Sequence, residues 1–134
     1  MVAAIEARNN AYAPYSNFLV GCALLLDNGK VIKGNNQENA AYPSGLCAER
    51  VAIFAAGANH PGIAIKKIAI TAGPRNGIFD KPVPPCGACR QSIAEYENNQ
   101  DYPIELFFMG TQGTILRSQS MKDLLPLVFD RDYL

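Results

Sequence analysis

The sequence has no tryptophan, a single histidine and no excess of charge of either sign, with 12 Lys+Arg against 12 Asp+Glu in 134 residues. A neutral chain lacks the cationic surface on which phosphate-backbone binding depends, because that affinity comes mainly from Lys and Arg displacing counterions. Nucleic acid is therefore excluded as an expected partner. Charged residues make up only 18% of the chain and apolar residues 49%, a balance that points to surface hidden against other copies in a homo-oligomer. Long hydrophobic runs are also missing. Greasy stretches such as residues 22–26 and 106–109 have strand length and fall far short of the ~18 residues of a membrane span. Residues 1–10 carry Glu6 and Arg8 where a signal peptide would have a continuous apolar core. No membrane partner is expected, and a cytoplasmic location follows as the default. No repeat, linker or low-complexity block divides the chain, so residues 1–134 read as one domain, long enough to bury roughly two thirds of its unfolded surface.

What is present is punctuated by strong turn signals. Residues 3–12 are Ala-rich and stop before Pro14, which predicts a short helix and a turn at Pro14-Tyr15-Ser16. Residues 18–26 read as a strand, Asp27-Asn28-Gly29 as a hairpin turn and residues 30–33 as the returning strand. Residues 35–46 suit a loop, and residues 47–58 a helix closed by Asn59-His60-Pro61-Gly62. Residues 67–72 suit a third strand. Four prolines and two glycines exclude regular structure over residues 73–85, after which residues 87–98 resume a helical pattern. Residues 104–109 and 114–117 flank Gly110-Thr111-Gln112-Gly113 as a second hairpin, and residues 121–127 close with a short helix. The order αββαβαββα suits a three-layer α/β/α sandwich with a mixed sheet of about five strands.

The chemistry concentrates at two predicted helix starts, Cys47-Ala48-Glu49-Arg50 and Pro85-Cys86-Gly87-Ala88-Cys89-Arg90. A Cys-x-x-Cys pair alone leaves redox, structural zinc and chance open, since a helix N-terminus favours thiolate in each functional case. The third cysteine changes the balance. Cys-x-Glu on one helix start and Pro-Cys-x-x-Cys on another match the zinc-deaminase signature, with Cys in place of its usual His. Three protein ligands leave a fourth zinc position open, as a catalytic site requires. His60, a helix length of ~18 Å from Cys47, reads as a solvated or capping residue, and Cys22, inside an apolar strand, as a small core hydrophobe. Glu49 in the first helical turn is placed to move protons beside a metal-bound water. Three thiolates around Zn²⁺ leave about one negative charge by formal count, so Arg50 and Arg90 are expected as donors to the sulfurs.

Together with Ala13-Pro14-Tyr15-Ser16-Asn17-Phe18, Val20-Gly21 and Asn36-Gln37-Glu38-Asn39-Ala40, these motifs resemble the small homotetrameric cytidine deaminases along nearly the whole chain. The resemblance implies hydrolysis of cytidine and deoxycytidine to uridine and deoxyuridine plus ammonia in pyrimidine salvage, by zinc-bound hydroxide with Glu49 as proton shuttle. It implies one zinc per subunit, held by Cys47, Cys86 and Cys89. Carried over residue by residue, Phe18 packs on the pyrimidine and Asn36 and Glu38 grip the ribose. The backbone N–H of Ala48 holds the 2-oxo group, Tyr42 stands near an intersubunit site, and Phe129 completes a neighbour's pocket. The alternatives are a deaminase of another aminopyrimidine nucleoside, of the blasticidin S type, and a non-catalytic zinc module. Two departures stand out: the N-terminal helix is shorter than the family's usual one, and the connection over residues 73–84 is longer.

Overall fold

The computed structural model describes residues 1–134. In chain order the regular elements are α1 (Val2–Arg8), β1 (Phe18–Leu26), β2 (Val31–Asn35), α2 (Ala48–Asn59), β3 (Ile65–Pro74), α3 (Gly87–Asn98), β4 (Glu105–Met109) and β5 (Leu116–Ser118), with 3₁₀ turns at Tyr42–Ser44, Met121–Asp123 and Arg131–Tyr133. The strands form one mixed sheet in the order β2-β1-β3-β4-β5. Gly29, at φ +82°, turns the β1–β2 hairpin, a left-handed conformation that favours glycine. The parallel β3–β4 pair needs a crossover, and α3 supplies it.

Two glycines set the layers. A side chain at Gly21 would collide with Ala4 and Arg8 of α1, and one at Gly34 would collide with Ala48 and Ala52 of α2. Gly21 pairs with Asn35, and its neighbour Cys22 pairs with Gly34. Side chains alternate between faces along a strand, so α1 and α2 lie on opposite faces of the sheet. The core fills the α2/α3 side: Cys22, Leu24 and Leu26 of β1 meet Ala52, Ile53 and Ala56 of α2, Ile68 and Ile70 of β3, and Ile93 of α3. Each aliphatic side chain buried there contributes about 1.5–3 kcal/mol. The close approach at Gly34 presses the start of α2 onto the sheet and fixes the first half of the candidate site.

Several boundaries differ from the sequence reading: β2 runs on to Asn35, β3 starts at Ile65 and β5 is Leu116–Ser118, and three further differences have a clear physical reason. The first helix stops at Arg8, four residues before Tyr12: Asn9 and Asn10 follow, and such side chains compete with helical hydrogen bonds. β3 extends through Gly73 and Pro74, opposite Leu19 and Phe18. Beyond Thr71 this strand has β1 on one side only, and a proline without an N–H is tolerated there. The last predicted helix is reduced to a 3₁₀ turn at Met121–Asp123, capped by the Ser120 hydroxyl accepting from the Lys122 N–H, because Pro126 prevents its extension.

Candidate active site

Cys47 is the N-cap of α2 and Cys86 the N-cap of α3, both with extended backbone, and Cys89 lies in the first turn of α3, wholly buried. The three sulfurs are within 4.8 Å of one another. Cys47 Sγ and Cys86 Sγ stand 3.8 Å apart, too far for a disulfide and close to the separation of about 3.8 Å between two thiolates each ~2.3 Å from a tetrahedral zinc. Two helix N-termini meet at this corner, and both macrodipoles favour the thiolate form. Hydrogen bonding from Cys89 is the largest influence holding the Cys47 thiol down, at about 6, with the Arg50 charge adding to it; the Cys89 thiol is pushed up in return. A cluster that already holds a thiolate at neutral pH fits a divalent cation of thiophilic character.

Glu49, the second residue of α2, is 5% exposed beside this corner. Burial pushes its carboxyl up to about 7, the Cys47 charge works in the same direction, and its own backbone N–H opposes both. A carboxyl balanced near neutrality can accept a proton and return it. Ala48, the first residue of α2, is fully buried, and its N–H belongs to the first turn, where donors have no partner within the helix.

A cavity of about 600 Å³ opens over the corner and brings Cys47, Cys86 and Glu49 together with Phe18, Asn36, Glu38 and Tyr42. Two other clefts, of about 570 and 740 Å³, contain none of the cysteines, so size alone does not mark the site. Asn36 works on the strand that carries Phe18. Its Oδ1 accepts from the Val20 N–H at 2.8 Å and its Nδ2 donates to the Phe18 carbonyl at 2.9 Å. Each amide group still has a second hydrogen-bonding position for a ligand. Glu38 holds the preceding turn, accepting from the Tyr15 N–H at 3.0 Å, the Ser16 N–H at 3.2 Å and the Ser16 hydroxyl. Those bonds keep its carboxyl below the usual carboxylate range, the Ser16 hydroxyl most of all.

The remaining residues divide. Tyr42 is 77% exposed and meets Tyr15 edge to face at 6.1 Å. Phe129 is 59% exposed, stacks on Tyr133 at 5.6 Å and does not line the cavity of its own chain. Arg50 lies 5.6 Å above the Phe54 ring, and its buried Nε has no partner in the chain. Arg90 donates its Nε to the Pro85 carbonyl at 2.8 Å and its Nη1 to the Leu124 carbonyl at 2.9 Å. It ties the approach to Cys86 to the C-terminal segment, and these two donors go to carbonyls where the sequence reading had placed sulfurs. His60 is the C-cap of α2, at the far end from Cys47, and Cys22 is wholly buried in the core. Ser16, Val83 and Pro84 also line or brace the cavity. The sequence reading did not single them out, although the Pro14-Tyr15-Ser16 turn signal stood beside Phe18.

A family model described as the cytidine and deoxycytidylate deaminase zinc-binding region matches residues 1–102. The chain is 50% identical over 128 residues to the cytidine deaminase of Halalkalibacterium halodurans, covering 94% of this chain and 88% of that one. It is 34% identical over 132 residues to the cytidine deaminase of Mycobacterium tuberculosis, covering 96% and 86%. Among solved structures, the 1.6 Å crystal structure of the cytidine deaminase from Burkholderia pseudomallei is similar at 41% identity and a TM-score of 0.83, covering 96% of this chain and 94% of that one.

Proposed function

This chain belongs to the cytidine deaminase family, and from that premise we propose that it hydrolyses cytidine and deoxycytidine to uridine and deoxyuridine, releasing ammonia, in pyrimidine salvage. One observation carries the reading: a buried carboxyl and two sulfurs of a three-cysteine cluster line one cavity with an aromatic ring, at the start of a helix whose first N–H groups have no partner within the helix. Zinc held by Cys47, Cys86 and Cys89 would lower the pKa of water and so supply a nucleophile near neutral pH.

The chain's own residues account for the rest. Glu49, poised at about 7, takes one proton of the attacking water and delivers it to N3 of the ring, then takes the remaining proton of the new C4 hydroxyl and delivers it to the departing amine. The C4–O bond forms first, as the C4–N3 double bond becomes single, and the C4–N bond to the amine breaks in the second step as the 4-oxo group forms, so one carboxyl serves as base and then as acid in each step. Phe18 packs against the pyrimidine, which fixes C4 over the corner. The Ala48 N–H donates to the 2-oxo group, and the remaining amide positions of Asn36 with the Glu38 carboxylate receive the ribose hydroxyls. A chain of zero net charge suits an uncharged nucleoside, which needs no cationic steering.

Residues 1–134 act as one zinc-binding domain, and the working form is a cytoplasmic homotetramer with one zinc per subunit. The support for shared sites is the exposure of Phe129 and Tyr42, two large rings left in solvent, which a neighbouring copy would cover while receiving Phe129 into its own cavity. Ammonia release by the zinc-loaded protein, compared between cytidine and other aminopyrimidine nucleosides, tests the substrate. Rapid turnover of cytidine is expected, and a strong preference for another nucleoside would replace it.

A further inference from the structure

Phe79 lies in the connection between β3 and α3, and it does not line the cavity. Its ring nevertheless meets Phe18 edge to face, with centroids 6.0 Å apart and planes at 84°. That contact is built in. The Phe79 N–H donates to the Thr111 hydroxyl at 2.9 Å, and its carbonyl accepts from the Thr111 N–H at 2.7 Å and from the same hydroxyl at 3.1 Å. A side chain at Gly110 would collide with the Phe79 carbonyl, so glycine is what lets the two backbones touch. Thr71 fixes Gly110 in turn, its hydroxyl donating to the Gly110 carbonyl at 2.6 Å. The other side of the pair is held as firmly. The Phe18 N–H donates to the Ser16 hydroxyl at 3.0 Å, and the Arg75 N–H donates to the Asn17 carbonyl at 2.8 Å. The neighbouring Ile78 is 74% exposed while Phe79 is half-buried, so the segment turns this one ring inward.

We propose that Phe79 is a positioning residue for the substrate: it acts through Phe18, holding that ring in the orientation that packs on the aminopyrimidine, and so sets affinity without touching the nucleoside. The inference rests on the reading of Phe18 as the base-packing ring. An edge-to-face partner fixes the tilt of a ring because the positive edge of one meets the negative face of the other. A leucine at residue 79 would fill similar space and leave the Phe18 ring free to tilt.

The test is steady-state cytidine kinetics on zinc-loaded protein carrying Phe79→Leu, Phe79→Tyr, Phe18→Leu and the double Phe18→Leu/Phe79→Leu change. With Phe79→Leu, KM rises about 2- to 10-fold, the range expected for losing one aromatic pair, while kcat and zinc content stay at the unaltered level. Phe79→Tyr, which keeps the aromatic edge, restores KM. The double variant has the KM of Phe18→Leu alone, since the second change has nothing left to act through. Additive effects, or a fall in kcat and zinc content together with the rise in KM, would show that Phe79 merely props the segment leading to Cys86, and would overturn the proposal. So would an unchanged KM in Phe79→Leu. If Phe18→Leu leaves KM unchanged, the base-packing reading falls and takes this inference with it, whereas turnover by the unaltered enzyme tests the deaminase reading separately.

Discussion

Cys89 and Phe129 mark the two extremes of the proposed site. Cys89 is wholly buried in the first turn of α3, and its sulfur meets those of two helix N-caps within 4.8 Å. Phe129 sits on the C-terminal segment, 59% exposed, with one stacking contact and a carbonyl bond from Gln91 at 2.7 Å. The sulfur corner is finished inside one chain, because helix starts and the packing of α2 and α3 on the sheet fix every donor. The proposed nucleoside side is built differently: turns held by side chains flank the strand start at Phe18, and the rings of Tyr42 and Phe129 face solvent. In the proposed reading, chemistry that needs exact ligand geometry falls to the rigid elements and recognition of a flexible sugar to the loops.

The sharpest way to break that contrast is to remove the proton-carrying group while leaving the sulfurs alone. Glu49→Gln should lower turnover by about 10²- to 10⁴-fold with zinc content unchanged by metal analysis. A variant that keeps near-normal rates would remove Glu49 from the chemistry.

The same carboxyl gives a pH signature in protein stripped of zinc. Its folded value of about 7 lies above the ordinary 4.5, so the folded state binds the proton more tightly than the unfolded state. That stability is complete below about pH 4.5 and is lost as pH rises through about 7, to the order of 3 kcal/mol. Cys47, held at about 6 against 9.0, has the opposite sign: its contribution is present above pH 9 and lost as pH falls through about 6. Denaturant midpoints should therefore fall between pH 4.5 and 6 and rise again above pH 7. Glu49→Gln should abolish the first limb and keep the second.

On the aromatic side, Phe129→Ala should raise KM for cytidine several-fold with zinc content intact. Mixing it, after dissociation and reassembly, with Glu49→Gln should bring back a fraction of sites with the unaltered KM, because hybrid sites combine a sound Glu49 with a neighbour's Phe129. No recovery would mean that each chain uses its own C-terminal segment. The smallest effect is expected at Cys22, the cysteine assigned to the core. Cys22→Ala should cost about 1 kcal/mol of stability with zinc content and kcat unchanged, and loss of metal would contradict the division of the four cysteines.

The parts of this site that were legible in the sequence are those written in local spacing. Cys47, Glu49, Cys86 and Cys89 fall at helix starts that turn signals and prolines announce, and β1 and α3 have the bounds that their patterns predict. The illegible parts are contacts between residues far apart in the chain. Nothing local assigns Arg90 to the Leu124 carbonyl, 34 residues away, or Glu38 to the Ser16 turn. The turn-rich composition of residues 73–85 excluded regular structure without disclosing that Phe79 is anchored on Thr111, 32 residues further on. Pro74 misled in the other direction, because its place at the one-sided end of β3 is a property of the sheet.

One measurement tests the central claim most directly: zinc content, cytidine turnover and oligomeric mass determined on the same purified sample. One zinc per chain, release of one ammonia per cytidine consumed, and a mass of four chains are the expected results. A sample that carries its full zinc and converts neither cytidine nor deoxycytidine would contradict the account, leaving the corner at Cys47, Cys86 and Cys89 as a metal site without this chemistry.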